Sequence, residues 1–586
     1  MIEAKLQQIV ESAIDGAVKD GKLGSLTERT EPVVIERPRL AEHGDFACGV
    51  AMKLAKQAKT APIKIAESIT DYMKSNPDVA SGIEKFAVAA PGFINFQLGK
   101  DWLAKALQEI HERGDKYGHS DVGGNKRLLL EYVSANPTGE LHIGHGRNAV
   151  FGSCLANLFK FAGFDVVQEF YLNDTGAQIN QLGAQAWAIY QRKHGKDVAY
   201  PEGGYPEESI AHFIDMVIAE HKDKFMSMSS EDGLKALAHE TKSVILEDQK
   251  QLLEQLGVHF DHWFSEATLH NGAVAGVLEI FAQNNHTFEK DGALFLKATS
   301  LGDERDRVLV KSDGSTTYLA ADAAYHLDKY SRDFDGFVTI WGADHHGQVP
   351  GLRAAVQALG KDPELMEIIL TQIVNLQRDG QQVRMSKRRG TVVTLSEVME
   401  EVGKDAVRYY LAESNPQNPI AFDLELAKKT SRENPAFYIQ YAHARCCAIL
   451  RRALEPYVNT EKGTTEPPVL TEQQWADFQS EFKSSPDVFL AAFDSDPAIF
   501  ADQKALVMAL QTFPQEVREA AVNRQPGRLA RYAYDVSNAL QKFYEVSRVI
   551  TDDPAVTKAR LGLIMATRQV LANVLGIIGV SAPERM

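Results

Sequence analysis

The spacing of hydrophobic positions divides the chain into three regions, of which residues 1–117 form the first. Apolar residues recur at helical spacing over residues 6–14 and again over residues 52–69. Residues 86–90 and 94–98 alternate as strands do, on either side of a Pro-Gly turn. This pattern predicts a small, separate α+β domain at the N-terminus.

The second region, residues 118–425, begins with a different pattern. Residues 126–133 are a short apolar run flanked by turn residues, which is typical of a buried parallel strand. A turn containing Pro and Gly follows, and a helix is then predicted over residues 144–162. Strand, turn and helix in this order form the first unit of a doubly wound sheet. Further strands are predicted at residues 166–170, 337–341 and 368–370.

Two largely helical stretches complete the predicted organisation. About residues 185–284 are charged and mostly helical, so we predict an insertion between the two halves of the nucleotide-binding fold. The third region, residues 426–586, is helical almost throughout, apart from a polar Thr- and Pro-rich stretch at residues 459–471 that we expect to be an exposed loop. The predicted fold class is α/β, with a Rossmann-like core between a small α+β domain and an all-α bundle.

Composition and charge restrict the class of protein. The 586 residues are too many for one hydrophobic core, and 44% apolar with 24% charged residues is ordinary for a soluble globular protein. The net charge of −16 argues against a protein that is basic all over, although a local basic face can still bind nucleic acid. The first residues lack the apolar core of a secretory signal, and no bilayer-spanning apolar stretch is evident. We therefore expect a cytoplasmic protein without membrane contact.

The cysteines do not indicate a covalent or metal-bound framework. The chain has Cys48, Cys154, Cys446 and Cys447, of which only the last two are close in sequence, and they are adjacent. Since no Cys-x-x-Cys pattern occurs, we expect reduced thiols, no zinc knuckle and no structural metal.

The most informative motif is the sequence HIGH at residues 142–145. His142 and His145 are three residues apart at a predicted strand-to-helix turn, so both can point the same way. Gly144 and Gly146 allow a ligand to approach the backbone closely. Amide groups at a helix start favour an anion, and imidazole donors can reach phosphate oxygens. The motif therefore suits ATP, with a chance match or a metal-binding histidine pair as alternatives.

A second motif, RMSKRRG at residues 384–390, lies far along the chain in a predicted loop. The Lys387 ammonium can close onto a triphosphate and neutralise the pyrophosphate leaving group, with Ser386 as a hydrogen-bonding helper. Alone, such a basic run is normally a solvated face. Following the first motif in this order, it favours a nucleotide site made of two remote segments.

Together these motifs resemble the class I aminoacyl-tRNA synthetases. Residues 142–145 match the HIGH motif of that class, and residues 384–387 match its KMSK motif with Arg at the first position. The flanking segments resemble the arginyl branch, and the similarity covers nearly the whole chain. These segments are residues 131–139, 291–293, 312–314, 317–322, 342–348 and 434–445.

The resemblance implies a Rossmann catalytic core that uses ATP with Mg²⁺ and forms an aminoacyl-adenylate before transfer to tRNA. It implies that the catalytic residues are His142, His145, Ser386 and Lys387. It also implies that ATP is bound by His142, Gly144, His145, Asn148, His346, Met385 and Lys387.

The same resemblance assigns an arginine pocket, and elementary chemistry agrees with it. A guanidinium needs planar acceptors, for which a carboxylate such as Asp322 is the natural partner. Tyr318 precedes Asp322 by four residues, so a helix would bring both to one face. The arginine-binding residues implied are Glu131, Ser134, Asn136, Tyr318, Asp322 and Gln348. No editing domain is expected. Lysine would leave hydrogen-bond acceptors of the pocket unpaired, and this penalty is enough to reject it at the binding step.

For the tRNA, the resemblance implies an anticodon-binding bundle and an N-terminal domain at the tRNA elbow. Tyr438, Tyr441 and Arg445 could stack on unpaired bases, but the same stripe could be packed core. The implied partners are tRNA-Arg, L-arginine and ATP, for a monomer that needs bound tRNA to activate arginine. The alternatives are a synthetase for another amino acid, a small-molecule ligase or nucleotidyltransferase, and an RNA-binding relative without catalysis.

Overall fold

A computed structural model describes residues 2–28, 31–38, 40, 43–76, 82–383, 392–459 and 463–586. The second nucleotide motif, residues 384–390, lies outside the described residues. The predicted division into a small α+β domain, a parallel-sheet core and a helical bundle is confirmed.

The N-terminal part is a four-stranded antiparallel sheet covered by helices, with the strand order β1-β2-β4-β3. Its core contains buried apolar residues from Leu6 to Trp102. The next residue, Leu103, already belongs to the core shared by the rest of the protein. The elements are α1 (Ile2–Lys19), β1 (Ile35–Glu36), β2 (Phe46–Cys48), α2 (Val50–Ala58), α3 (Pro62–Ser75), β3 (Ile83–Ala89), β4 (Phe93–Leu98) and α4 (Lys100–Arg113).

The central part opens with the predicted strand, turn and helix. Its first elements are β5 (Arg127–Glu131), α5 (Ile143–Phe161), β6 (Asp165–Leu172), α6 (Ala177–Lys193), α7 (Glu207–His221), α8 (Ser230–Leu256), β7 (His262–Ser265), α9 (Ala273–Gln283), β8 (Thr287–Lys290), β9 (Ala293–Leu296) and β10 (Arg307–Val310). The helical insertion differs from the prediction, because β7 lies inside the range 185–284 and joins the main sheet beside β6. Four residues are too few to show a strand period within a helical context.

The second half of the central part completes a five-stranded parallel sheet of order β12-β11-β5-β6-β7. Its elements are α10 (Tyr318–Ser331), β11 (Gly336–Gly342), α11 (Val349–Ala358), β12 (Met366–Thr371), β13 (Val374–Arg378), β14 (Gln381–Gln382), α12 (Leu395–Val402), α13 (Lys404–Glu413), β15 (Ile420–Asp423) and α14 (Leu424–Lys428). Two small sheets, β10-β9-β8 and β14-β13-β15, flank it.

The C-terminal part is a helical bundle that shares one hydrophobic core with α5 and β5. Its elements are α15 (Pro435–Leu454), β16 (Tyr457–Asn459), β17 (Thr464–Glu466), α16 (Glu472–Ser484), α17 (Pro497–Gln511), α18 (Phe513–Asn523), α19 (Gly527–Val546) and α20 (Pro554–Ile578). The stretch expected to be an exposed loop contains a short antiparallel hairpin, β16 with β17.

The expectation that no apolar stretch could span a bilayer was wrong for α20. This helix is long and apolar enough to cross a membrane by length and composition. However, 67% of its most apolar stretch is buried inside the protein, as in the core helix of a bundle. Packing against α15 and α19 therefore accounts for its apolar character.

A buried arginine fixes the bundle against the core. Arg408 of α13 donates to the carbonyl oxygens of Ile578 at 3.1 Å and Leu256 at 3.1 Å, at the ends of α20 and α8. It also donates to the Ser153 hydroxyl of α5 at 2.9 Å. A guanidinium is well suited to helix carboxyl ends, where carbonyl groups lack partners. The site described below therefore rests on a core braced by three helices.

Candidate active site

The carboxyl edge of the parallel sheet has a crevice where the strand order reverses. The chain runs from β5 to β6 on one side, whereas β11 lies on the other side of β5. Such a reversal leaves an opening between the carboxyl ends of the two strands. Glu131, the last residue of β5, is in register with Thr339 of β11, whose hydroxyl donates to Glu131 Oε2 at 3.3 Å. A ligand is therefore expected here.

The chain leaves β5 through a strained turn. Val133 and Ser134 have φ values of 70° and 45°, which non-glycine residues rarely adopt. The Ser134 amide donates to the Tyr132 carbonyl oxygen at 3.0 Å, which closes a three-residue turn. The Ser134 hydroxyl donates to Glu131 Oε1 at 3.1 Å and accepts from the Tyr171 amide at 3.3 Å. Strain of this kind is typical of ligand-binding sites, so the turn supports a site at this edge.

The two motif histidines cap the start of α5. The His142 Nδ1 accepts from the amides of Gly144 at 3.0 Å and His145 at 3.4 Å. In return, the His142 amide donates to His145 Nδ1 at 3.3 Å. The two rings stack with their centroids 3.7 Å apart. The motif therefore satisfies the helix end by itself and aligns both imidazoles.

This capping fixes the protonation of both rings. Since each Nδ1 accepts a backbone hydrogen bond, the proton of the neutral ring is on Nε2. Burial lowers the pKa of His142, and burial with the nearby His142 lowers the pKa of His145 to about 3. Both rings are thus neutral Nε2–H donors at physiological pH, which suits hydrogen bonding to phosphate oxygens.

The glycines of the motif are required by packing. A Cβ atom on Gly144 would lie 2.9 Å from His142 Cε1, and one on Gly146 would lie 2.6 Å from Leu395 Cδ1. The prediction that these glycines leave room for a ligand is not tested. Close contact with Leu395 shows that the segment after the second motif is pressed against the first.

Both flanks of residues 384–391 lie beside α5. After this segment, Thr394 forms an antiparallel bridge with His142, and the Leu395 amide donates to the Leu141 carbonyl oxygen at 2.8 Å. Before the segment lie β13 and β14. The connection from β12 to β13 is held by Arg147 of α5, which donates to the Gln372 carbonyl oxygen at 2.6 Å. The predicted residues Met385, Ser386 and Lys387 lie outside the described residues, but Thr394 and Leu395, which follow their segment, adjoin the first motif.

A cluster of acidic residues lies at the same edge of the sheet. The segment beginning with Tyr318 is helical, so Tyr318 and Asp322, four residues apart, lie on one face of the helix. Tyr318 is 70% exposed. Burial raises the pKa of Asp322 to about 7, with nearby Glu131 and Glu266 adding to the effect. Within the described chain, no donor bonds the Asp322 carboxylate. A half-buried acid held among other acids, with no hydrogen-bond donor of its own in the described chain, favours a cationic ligand.

Glu266 was missed by sequence reasoning. It follows β7, is 7% exposed, and has a pKa raised by burial despite the His270 ring 3.5 Å from its Oε1. A Glu in a charged, mostly helical stretch carries no local signal. Only the addition of β7 to the sheet brings it near Asp322, and therefore a fold assignment was needed to find it.

Glu131 differs from Asp322 because it already has a cation. Lys329, buried in α10, donates to Glu131 Oε2 at 2.5 Å and to the Thr339 hydroxyl at 3.3 Å. The Glu131 carboxylate is therefore neutralised by Lys329, and it also accepts hydrogen bonds from the hydroxyls of Ser134 and Thr339. Lys329 was also missed, because a lysine two turns after Asp322 reads as an ordinary helix surface.

Glu169 of β6 anchors the helix that carries Asp322. It accepts from Arg332 Nη1 at 2.6 Å and Nη2 at 3.0 Å, and from the Tyr325 hydroxyl at 2.6 Å. Burial would raise the pKa of Glu169, but these bonds and one to His262 lower it to about 2. Its stabilisation is thus fully present above a pH of about 4.5 and is lost as the pH falls towards 2.

Removing the Glu169 charge should destabilise the protein. We expect Glu169→Gln to lower the free energy of unfolding by about 3–5 kcal/mol, because Arg332 loses its buried partner and keeps only the partly exposed Asp328 at 3.1 Å. Urea unfolding at pH 7 measures this. The matched control is Asp165→Asn on the same strand, whose exposed pair with Arg127 at 3.5 Å should cost less than about 1 kcal/mol. Equal losses in the two variants would contradict the anchoring role.

The remaining predicted substrate residues have varied surroundings. Asn136 Nδ2 donates to Gln178 Oε1 at 2.5 Å, beside the turn before the motif. Gln348 Oε1 lies 3.2 Å from His345 Nδ1, and His346 is exposed. Asn148, predicted to bind ATP, is 8% exposed and accepts a hydrogen bond from the Thr371 hydroxyl. Asn148 therefore has a structural partner inside the protein.

The two predicted stacking tyrosines of α15 differ in exposure. Tyr438 is 7% exposed, lies 5.4 Å from the Tyr534 ring, and has a buried hydroxyl without a partner in the described chain. Tyr441 is 44% exposed, and Arg445 lies 4.0 Å from the Tyr544 ring centroid. Packing thus accounts for Tyr438. Arg445 is half-buried and donates to Gln541 Oε1 at 2.6 Å, and of the two tyrosines only Tyr441 is exposed.

The metal-binding alternative for the histidine motifs gains no support from the side chains. Within the described residues, no group of three or more His, Cys, Asp or Glu side chains is placed to hold an ion. The four cysteines are buried free thiols.

Three family models match consecutive parts of the chain. Residues 4–98 match the arginyl tRNA synthetase N terminal domain, and residues 106–430 match the catalytic domain of tRNA synthetases class I (R). Residues 439–586 match the DALR anticodon binding domain.

Similar proteins agree over the full length. An arginine–tRNA ligase of Desulforudis audaxviator is 41% identical over 586 residues, covering 100% of this chain and 99% of its own. One of Shouchella clausii is 41% identical, covering 96% of each chain. The crystal structure of a putative arginyl-tRNA synthetase from Campylobacter jejuni has a TM-score of 0.72 at 30% identity, covering 83% of this chain and all of that one.

Proposed function

Because the chain belongs to the arginyl-tRNA synthetase family, we propose that the residues at the carboxyl edge of its sheet perform that family's reaction. The chain is an arginine–tRNA ligase, a class I enzyme that activates arginine with ATP and transfers it to tRNA-Arg. The observation that carries the residue roles is the unpaired acid Asp322 beside an ATP-type helix start. Loading of purified tRNA-Arg with labelled arginine tests the activity directly.

In the proposed first step, an arginine carboxylate oxygen attacks the α-phosphorus of ATP. The new P–O bond forms as the bond to pyrophosphate breaks, and the products are arginyl-adenylate and pyrophosphate. The Nε2–H groups of His142 and His145 would donate to the phosphate oxygens as charge develops on them. Lys387 would neutralise the leaving pyrophosphate. Ser386, Met385, Gly144 and His346 would complete the nucleotide contacts.

In the second step, a ribose hydroxyl of the terminal adenosine of tRNA attacks the activated carbonyl carbon. The ester bond forms as the bond to AMP breaks, and the hydroxyl proton leaves with the AMP phosphate or to solvent. No side chain needs to act as a general base, since positioning and charge stabilisation supply much of the rate. Magnesium would arrive on the triphosphate, because no group of described side chains is placed to hold it.

Arginine itself would lie between the two acidic positions and the strained turn. Asp322 and Glu266 would accept from the guanidinium, with the exposed ring of Tyr318 against it. Ser134, Asn136 and Gln348 would hold the amino-acid end, with the Glu131 carboxylate near the α-ammonium. Lysine offers one ammonium in place of a planar fork and leaves acceptors unpaired, which costs about 1–3 kcal/mol.

The raised pKa of Asp322 predicts a pH dependence for arginine binding. Since this pKa is about 7 in the empty pocket, the carboxyl group is largely protonated below pH 7 and ionised above it. Only the ionised form accepts from both guanidinium nitrogens, so the arginine KM should fall roughly tenfold between pH 6 and pH 8. Steady-state arginylation across this range measures it. A pH-independent arginine KM, or the same slope in Asp322→Asn, would contradict the assignment.

For the tRNA, we propose that Tyr441 and Arg445 contact anticodon bases and that the chain acts as a cytoplasmic monomer. Exposure of the Tyr441 ring supports the contact, because bases stack on accessible aromatic faces. The buried free thiols fit a reducing compartment. Tyr438 would contribute by supporting this surface from within. Activation of arginine would depend on bound tRNA, as in the family.

A further inference from the structure

A cavity of about 330 Å³ lies away from the carboxyl edge, at the junction of all three parts of the protein. Its wall comes from α1, α4, the loop leading into β5 and the start of α18. This loop is at the amino end of β5, so the cavity and the crevice are at opposite ends of that strand. Neither substrate described above accounts for it.

Basic side chains dominate the lining, although the chain carries a net charge of −16. The cations are Lys5, Lys105, Arg113 and Arg518, against the acids Glu109 and Asp121. Four positive and two negative side chains thus face one small space. A cleft lined mainly by one sign of charge concentrates ions of the opposite sign.

Most of this positive charge is not used within the protein. Arg113 lies 3.5 Å from Glu109 and donates to the His119 carbonyl oxygen at 2.9 Å. Within the described part of the chain, Lys105 and Arg518 make no ion pair or hydrogen bond, and Lys5 contacts only the Trp102 ring, 5.0 Å from its centroid. These three cations come from three separate segments, so each repels the others unless an anion joins them.

A hydroxyl in the same lining also lacks a partner. The Ser120 Oγ is buried and has no hydrogen-bond partner in the described structure. Its loop is fixed, because the Ser120 amide donates to the Phe161 carbonyl oxygen at 3.4 Å and a Cβ atom on Gly118 would lie 2.4 Å from Phe513. A buried donor without an acceptor is costly unless a ligand supplies one.

We propose that this cavity binds a phosphate group, held by Lys5, Lys105 and Arg518 with the Ser120 hydroxyl as a further donor. Phosphate oxygens match both the planar donors of Arg and the point charge of Lys. The group can belong to the RNA backbone or to a free phosphate compound, and the chemistry is the same. In either case it ties the N-terminal domain to the helical bundle. The inference does not rest on the arginine pocket.

The test compares the full-length chain with a Lys105→Gln/Arg518→Gln double variant. The first arm is calorimetric titration with inorganic pyrophosphate in Lys387→Gln, where the catalytic phosphate contact is removed. If the ligand is a free phosphate compound, the double substitution in this background removes one pyrophosphate-binding event, so the measured stoichiometry falls by about one. The second arm is tRNA binding across a salt series. If the ligand is RNA, tRNA affinity falls several-fold and the slope of log Kd against log salt decreases by about one, because one phosphate contact is lost.

The control variant is Lys235→Gln, an exposed lysine of α8 that pairs with Glu231 at 2.7 Å. Ser120→Ala, which retains every cation, should weaken the same binding event by a smaller factor. The proposal is overturned if both arms match the control while circular dichroism shows the double variant folded. A different outcome separates the two proposals. If the wild type does not load arginine, but the double variant still binds anion or tRNA more weakly than the wild type does, the proposed function fails and the phosphate site stands.

Discussion

Replacing Asp322 by asparagine is expected to raise the arginine KM about 100-fold or more. The substitution keeps the shape of the side chain but removes the charge that the guanidinium needs, and loss of one partner of a buried charged pair costs about 2–5 kcal/mol. The ATP KM and the affinity for tRNA should stay near those of the wild type, because neither ligand contacts this acid in the proposed complex. Steady-state arginylation with each substrate varied in turn measures the three values.

The thermal stability of the same variant provides a second, independent test of the assignment. Because the Asp322 carboxyl has a raised pKa, its ionised form destabilises the empty protein above a pH of about 4, and increasingly up to about 7. Asp322→Asn should therefore have a higher Tm than the wild type at pH 8 without arginine. The control is Asp333→Asn, which alters an exposed acid just beyond the same helix. It should change neither the arginine KM nor the Tm. An unchanged arginine KM in Asp322→Asn would show that the pocket is misplaced.

Replacing Lys387 by glutamine should reduce the rate of adenylate formation about 100- to 1000-fold. The ammonium neutralises charge on the departing pyrophosphate, and a donor aimed at developing charge contributes on this scale. The arginine KM should change less than about threefold, since the guanidinium pocket is unaltered. Rapid-quench measurement of adenylate formation gives the rate. Arg388→Gln, next in sequence, is the control and should lose much less activity.

A double-mutant cycle tests whether the two motifs act on one phosphate chain. His145→Asn is suitable because an amide oxygen can replace Nδ1 as a helix cap, while the Nε2–H donor is lost. If both motifs contact the same triphosphate, the loss in the double variant should be smaller than the product of the single losses. Strictly multiplicative losses would separate Lys387 from the histidines.

The parts of the fold that the sequence predicted are those with a long or unusual local pattern. β5 has a short apolar run, as is typical of a strand covered on both faces, and β6, β11 and β12 are rich in β-branched and aromatic residues. Helix α5 begins at a motif that supplies its own cap. The short strands β7 and β16 were missed, since runs of three or four residues have no readable period. The apolar stretch of α20 was overlooked because its place at the centre of a bundle depends on all the other helices.

The site shows the same division between local and tertiary information. The histidine motif carries its chemistry in the local sequence, whereas Asp322 was predicted through the family resemblance, in both cases before any fold was known. Glu266 and Lys329 reach the pocket only through strand addition and a buried helix face. Tyr438 shows the reverse, because helical spacing could not tell which of two neighbouring tyrosines the bundle would cover.

ATP–pyrophosphate exchange with each of the twenty amino acids, with and without tRNA-Arg, tests the central claim most directly. A guanidinium-selective acidic pocket beside the nucleotide motifs predicts exchange with arginine alone, appearing once tRNA-Arg is added. Exchange driven by another amino acid, or no exchange with arginine and tRNA-Arg both present, would contradict the account.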